Sequence, residues 1–296
     1  MSGIIDRVVR FFRTERVLFV VTNWIPRRYA TILFGRFSRI ENRWVRDASI
    51  AVWRRCAPEL ALDEARKERF ESLHDCFIRE LKPGARPIDP RPEVVTSPCD
   101  AIVGACGRVD GTTIVQAKGL DYTLEELLGD DELVARHRDG VFVTLRLTSS
   151  MYHRFHAPCD GTLSRVNYIS GDTFNVDPIS VKRIERLFCR NERVVMPLET
   201  PPDLPRVTLV AVAAILVAGV RLHCLPEVLD LRYGGPNHLD CDGRYAKGDE
   251  MGYFQHGSTI LLFASGWDAL DDAVTPGRRL RVGEPLLRRT ATDASP

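Results

Sequence analysis

The chain has 296 residues, 44% of them hydrophobic and 27% charged, with a formal net charge of +1. That length can bury one large core or two smaller ones, and a balance so near neutrality supplies no global field that would select nucleic acid as a partner. The charge is uneven, because residues 1–46 hold ten Arg against three acidic residues, a local excess of +7, and the remainder is net acidic.

Residues 3–17 (GIIDRVVRFFRTERV) set Arg7, Arg10 and Arg13 at helical spacing, flanked by Ile4, Ile5, Val8, Val9, Phe11 and Phe12. A hydrophobic stretch over 17–24 is broken at Pro26-Arg27-Arg28, followed by 29–37 (YATILFGRF) and the Arg-rich 38–46. Trp24, Tyr29, Phe34, Phe37 and Trp44 interleaved with arginine suit a surface lying in the headgroup layer of an anionic membrane. The plainer reading is an amphipathic helical subdomain packed on the core. The N-terminal apolar runs are short and interrupted by Arg, unlike a secretory signal. The longest apolar run, residues 209–220 (LVAVAAILVAGV), falls short of the roughly twenty residues a spanning helix needs and reads as a buried strand pair.

Residues 60–82 read as a helix stopped by Pro83-Gly84, and the Pro-rich stretch 85–98 marks the candidate domain boundary. Beyond it, β-branched runs alternate with Gly, Asp and Pro turns: 101–103, 113–117, 141–147, 161–169, 207–220, 229–231 and 259–264. One helix interrupts them over 123–128 (TLEELL), with Thr123 and Glu126 spaced as a capping box. The expected class is α+β: a helical, basic and aromatic membrane-surface region over 1–85, then a mainly β catalytic domain over 86–296. Eight cysteines without a C-x-x-C pair read as reduced core residues in a reducing compartment, with no metal site implied.

Three segments contain reactive side chains: Ser97-Pro98-Cys99-Asp100, Tyr152-His153-Arg154-Phe155-His156-Ala157-Pro158 and His256-Gly257-Ser258-Thr259. An Asp, a His and a Ser from separate loops can form a relay in which the carboxylate orients the imidazole and the imidazole takes the serine proton. Spacing alone does not select this arrangement over ordinary turn residues. Nor does it decide whether His153 is a structural histidine.

These segments resemble the phosphatidylserine decarboxylase family. Residues 152–161 are similar to its Y-H-R-x-H-x-P…G signature, 76–88 (CFIRELKPGARPI) to F-F-x-R-x-L-K-P-G-x-R-P-I, and 97–101 (SPCDA) to S-P-x-D-G. Residues 116–129 (QAKGLDYTLEELLG), 188–194 (FCRNERV) and 247–263 (KGDEMGYFQHGSTILLF) continue the match in order. The resemblance implies a proenzyme that cuts itself between Gly257 and Ser258 into chains 1–257 and 258–296, which stay associated. Asp100 would hold His156, and His156 would deprotonate Ser258, whose oxygen attacks the Gly257 carbonyl. β-Elimination and hydrolysis would then leave a pyruvoyl group derived from Ser258 as the covalent cofactor. The implied reaction converts phosphatidylserine to phosphatidylethanolamine and CO2 through a Schiff base, with His153 or His156 returning the proton.

Two positions depart from the family pattern: His256 stands where Leu usually precedes the cleavage glycine, and Ala101 replaces Gly. The implied partner is phosphatidylserine in an anionic membrane, with the protein peripheral on the cytoplasmic face of a bacterial cell membrane. A mitochondrial membrane is the second choice, and a homodimer is left open. The alternatives are a non-processing lipid-binding homologue and a pyruvoyl-dependent decarboxylase of another amine. A serine hydrolase is disfavoured because Ser258 lies in G-S-T and not in a G-x-S-x-G elbow.

Overall fold

The computed structural model describes residues 25–288, apart from 58, 118–119, 217–218, 256–257 and 267–268. The expected helix over 3–17 and the hydrophobic stretch over 17–24 lie outside the described residues. Pro26 directly precedes α1 (Arg27–Ser38), so the break read there is a helix start. In α2 (Arg43–Cys56) the Asn42 side chain accepts the Trp44 N–H at 3.0 Å, satisfying one of the open donors at the helix N-terminus.

The helix expected over 60–82 is corrected. Only α3 (Leu73–Phe77) is helical there, capped by Ser72, and the chain around it folds back on itself. The Arg66 N–H donates to the Glu80 carbonyl at 2.8 Å and the Lys82 N–H to the Glu64 carbonyl at 2.9 Å, forming an antiparallel bridge between Ala65 and Leu81. Those bonds take up backbone groups that a continuous helix would have paired internally.

Beyond residue 93 strands dominate, and the α+β expectation is borne out. An eight-stranded antiparallel sheet runs in the order His238–Tyr245, Gly161–Ile169, Arg193–Leu198, Arg206–Ala213, Ser258–Ser265, Val141–Arg146, Ala101–Arg108 and Arg279–Leu280. Its central strands are buried on both faces. Ile260, Leu262, Leu209 and Ala211 enter one core, while Leu261, Phe263, Val210 and Val212 enter the other. Burial on both faces explains why these strands read as continuous apolar runs without polar alternation.

The run 207–220 divides between two sheets. Arg206–Ala213 belongs to the large one. Val220–Leu222 joins a four-stranded sheet in the order Val228–Leu229, Val220–Leu222, Glu250–Phe254 and Arg154–His156. Among the described residues, no helix is long and apolar enough to cross a membrane.

The capping box is borne out in α4 (Leu124–Leu128): the Thr123 hydroxyl accepts the Glu126 N–H at 3.3 Å, and the Glu126 carboxylate accepts the Thr123 N–H at 3.2 Å. We expect Thr123→Ala to lower the unfolding free energy by about 1 kcal/mol, with Thr123→Ser close to wild type. Urea unfolding of the two variants checks this, and equal midpoints would show that the cap contributes nothing.

Candidate active site

Ser258 opens one of the two central strands of the large sheet, where its backbone pairs with Ala213 of the other. On the other side Thr259 pairs with Arg146, and Arg146 with Ile102. One step further along this register, position 258 stands level with Leu147 and Ala101, so Asp100 lies at the same end of the sheet. The His156 N–H donates to the Pro98 carbonyl at 2.8 Å, and the Phe254 N–H donates to the His153 carbonyl at 3.0 Å. Backbone pairing therefore gathers the three segments at one strand mouth. His256, Gly257 and with them the expected cleavage bond lie outside the described residues, as does the Ser258 side chain.

His156 closes the extended segment Arg154–His156. Its Nδ1 lies 2.8 Å from the Gly248 carbonyl, an acceptor, so Nδ1 carries the hydrogen. Its Nε2 is then the lone-pair nitrogen and accepts from the Tyr152 hydroxyl at 3.0 Å. Burial pushes the imidazole pKa down, against the opposing Gly248 hydrogen bond and the charges of Glu250 and Asp100.

The direct Asp100–His156 hydrogen bond expected from sequence is replaced. Arg86 takes both Asp100 oxygens, with Nε at 2.9 and 3.1 Å and Nη2 at 2.7 Å, and the Val282 N–H adds a further bond at 3.0 Å. Arg86 also bonds Glu64 at 2.8 Å. Burial pushes the Arg86 guanidinium down, but its hydrogen bonds to the two carboxylates outweigh that and the net shift is upward. A bidentate, nearly buried ion pair holds a carboxylate more firmly than one imidazole N–H would. The Gly248 carbonyl therefore orients His156, and Asp100 acts on the ring through space.

His153 is 1% exposed and lies under Phe77, with ring centroids 4.1 Å apart. Its Nδ1 donates to the Met151 carbonyl at 2.8 Å, which leaves Nε2 as a buried lone-pair nitrogen without a hydrogen-bond partner among the described residues. Burial and the nearby Arg79 charge push its pKa down to about 3, against the Met151 hydrogen bond. The two histidines have separate surroundings, and both are poised as neutral bases.

The family model described as phosphatidylserine decarboxylase matches residues 73–288, a span that contains Arg86, Asp100, Tyr152, His153, His156 and Ser258. The chain belongs to the phosphatidylserine decarboxylase family. It is 37% identical to the phosphatidylserine decarboxylase proenzyme of Vibrio cholerae over 277 residues, covering 90% of this chain and 96% of that one. It is 42% identical to the proenzyme of the same name from Anaeromyxobacter sp. over 222 residues, covering 73% and 78%. The resemblance read from the motifs is borne out, and with it the expectation of a carboxy-lyase.

Sequence reading assigned no role to Tyr152, Arg86, Gly248 or Glu192, although all lie in or beside the quoted motifs of the decarboxylase family. Glu192 is 1% exposed, and among the described residues its carboxyl has no well-formed hydrogen bond, the nearby Tyr168 hydroxyl donating instead to the Asp230 carbonyl at 3.1 Å. Its carbonyl accepts the Ala213 N–H at 2.8 Å, placing it two strands from residue 258. Burial pushes its carboxyl up to about 8, with the neighbouring Tyr168 hydroxyl opposing, so this acid is largely protonated at neutral pH.

The titrations act on stability in opposite senses. His153 and His137 have pKa values of about 3 when folded against an ordinary 6.5, so their contribution is full above pH 6.5 and is lost as pH falls towards 3. Glu192 contributes fully below its ordinary 4.5 and loses that contribution as pH rises through about 8. We expect His137→Gln to flatten the acid decline and Glu192→Gln the alkaline one, measured as denaturant midpoints from pH 4 to 9. Unchanged profiles in both variants would contradict these assignments.

Proposed function

We propose that this chain is a phosphatidylserine decarboxylase made as a proenzyme, which cuts itself between Gly257 and Ser258 and converts residue 258 to a pyruvoyl group. The observation that carries the reading is the tautomer of His156. With Nδ1–H committed to Gly248, Nε2 accepts from the Tyr152 hydroxyl and keeps the lone pair that a base for Ser258 needs. A proton leaving the serine would be accepted at that nitrogen without rearranging the ring. Asp100, fixed by Arg86, stabilises the imidazolium that results.

The residues present fit a pyruvoyl group. It is made from the chain's own serine, and the unpartnered His153 Nε2 supplies a buried base beside the segment that leads to residue 258. That group provides the electron sink for the carbanion left when CO2 departs. His153, neutral and shielded by Phe77, holds the site's dry proton-accepting position, and His156 holds the wetter one. After cleavage, chain 258–296 stays bound because its first strand is paired on both edges, with Arg206–Ala213 and with Val141–Arg146.

The lipid substrate accounts for the helical region. Thr31 on α1 accepts the Leu216 N–H at 3.0 Å, and Arg27 bonds Asp172 and stacks on Phe174. On the other side of the same helix Tyr29, Leu33 and Phe37, spaced four apart, are exposed, and so are Ile40, Trp44 and Val52 further along the chain. Exposed Arg36, Arg43, Arg54 and Arg55 flank it. Arg39 bonds Gln255, three residues before Ser258, so the surface adjoins the site. An apolar face with cationic flanks suits peripheral binding to the anionic leaflet of a cell membrane.

Intact mass of the purified protein tests the processing. We expect chains 1–257 and 258–296, the smaller blocked by a pyruvoyl group, and for Ser258→Ala a single uncut and inactive chain. Cleavage of that variant, or full activity in an uncut wild type, would overturn the reading. Vesicle flotation tests the surface: Leu33→Asp with Phe37→Asp should reduce binding to anionic vesicles by tenfold or more while processing continues, and unchanged flotation would remove these helices from membrane contact.

A further inference from the structure

Arg79, just after α3, is 4% exposed and forms no ion pair among the described residues. One terminal nitrogen, Nη2, donates weakly to the Ser150 and Met151 carbonyls at 3.2 and 3.4 Å, while Nε and Nη1 have no hydrogen-bond partner among the described residues. The carboxylates within electrostatic range, Asp100 and Glu64, are both bonded to Arg86. A buried carboxyl relieves such isolation by taking a proton, but a guanidinium stays charged, and an unpaired buried charge costs several kcal/mol. Such a group calls for an anion.

Its position indicates which anion. Arg79 shares the Met151 carbonyl with His153 Nδ1, so three unpartnered nitrogens, Arg79 Nε and Nη1 and His153 Nε2, belong to one buried cluster. The segment bearing Ser150 and Met151 leaves the strand next to Ser258–Ser265, and the segment leading to residue 258 bonds His153 through the Phe254 N–H. We propose that Arg79 is the anion-recognition residue of the site and takes the phosphodiester of the substrate headgroup through Nε and Nη1. The inference rests on the decarboxylase reading above.

The headgroup offers two anions, and the chemistry separates them. The carboxylate loses its charge as CO2 forms, so a cation bound to it would stabilise the ground state more than the transition state. The phosphodiester keeps its charge throughout and lies two carbons and one oxygen from the reacting nitrogen. A guanidinium fork matches two of its oxygens. Anion binding would also offset the Arg79 charge that helps keep His153 neutral, making its Nε2 a better proton acceptor once substrate is in place.

The test uses the processed enzyme and three amines: ethanolamine without an anion, serine with a carboxylate, and glycerophosphoethanolamine with a phosphodiester. Each is trapped reductively on the small chain, and the adduct mass gives its half-saturating concentration for wild type, Arg79→Lys and Arg79→Met. Arg79→Met should weaken glycerophosphoethanolamine by about tenfold or more and leave ethanolamine unchanged, with Arg79→Lys intermediate. Selective weakening of serine would assign Arg79 to the carboxylate and overturn the proposal, as would equal effects on all three amines or none. If Arg79→Met does not fold, Arg79→Lys decides by the same ratio. A wild-type protein that traps no amine would refute the pyruvoyl reading itself, a failure distinct from that of Arg79.

Discussion

The site depends on the strand Ser258–Ser265, hydrogen-bonded along both edges and buried on both faces. A strand in the middle of an eight-stranded sheet has little freedom of position, because a one-residue slip would exchange the two cores. That constraint sets residue 258 against Ala213, and it aligns the neighbouring strand ends that lead to Asp100 and to the 150–153 turn. The precision needed for chemistry comes from the sheet, and loops contribute the side chains.

Around that strand mouth, charge is distributed by division of labour among arginines. Arg86 is saturated by Asp100 and Glu64, and it fixes one of the two carboxylates, Asp100 and Glu250, whose charges reach His156. Arg79, a few residues earlier, has almost nothing to hold. Both histidines are kept neutral by burial, each with its tautomer set by a backbone carbonyl, Gly248 for one and Met151 for the other. Backbone acceptors suit this role because they cannot titrate, so the rings keep the same orientation across pH.

Much of the fold was legible, for identifiable reasons. Strands 113–117 and 161–169 fall where expected because turn residues bound β-branched runs on both sides. The stretch 60–82 was misread because its Glu, Lys, Arg and Leu favour helix locally, and the bonds between Glu64 and Lys82 and between Arg66 and Glu80 that override this preference leave no local trace. The run 207–220 hid the passage from one sheet to another because apolar residues fill both strands and the turn between them. In the candidate site, the motifs named Asp100, His153, His156 and Ser258 as candidates. Their partners were not legible: the contacts of Asp100 with Arg86 and of His156 with Gly248 join positions 14 and 92 residues apart.

The Asp100 carboxylate accepts the Val282 N–H, and the strand Val94–Thr96 just before it pairs with Pro285–Arg288. The surroundings of this early residue are therefore completed by residues that follow Ser258 in the chain. A nascent chain still attached at those positions contains the serine and both histidines but not the finished environment of the acid. The order of synthesis would thus act as a timer on the proposed self-cleavage, which would wait until residues 282–288 had been delivered and folded around the acid.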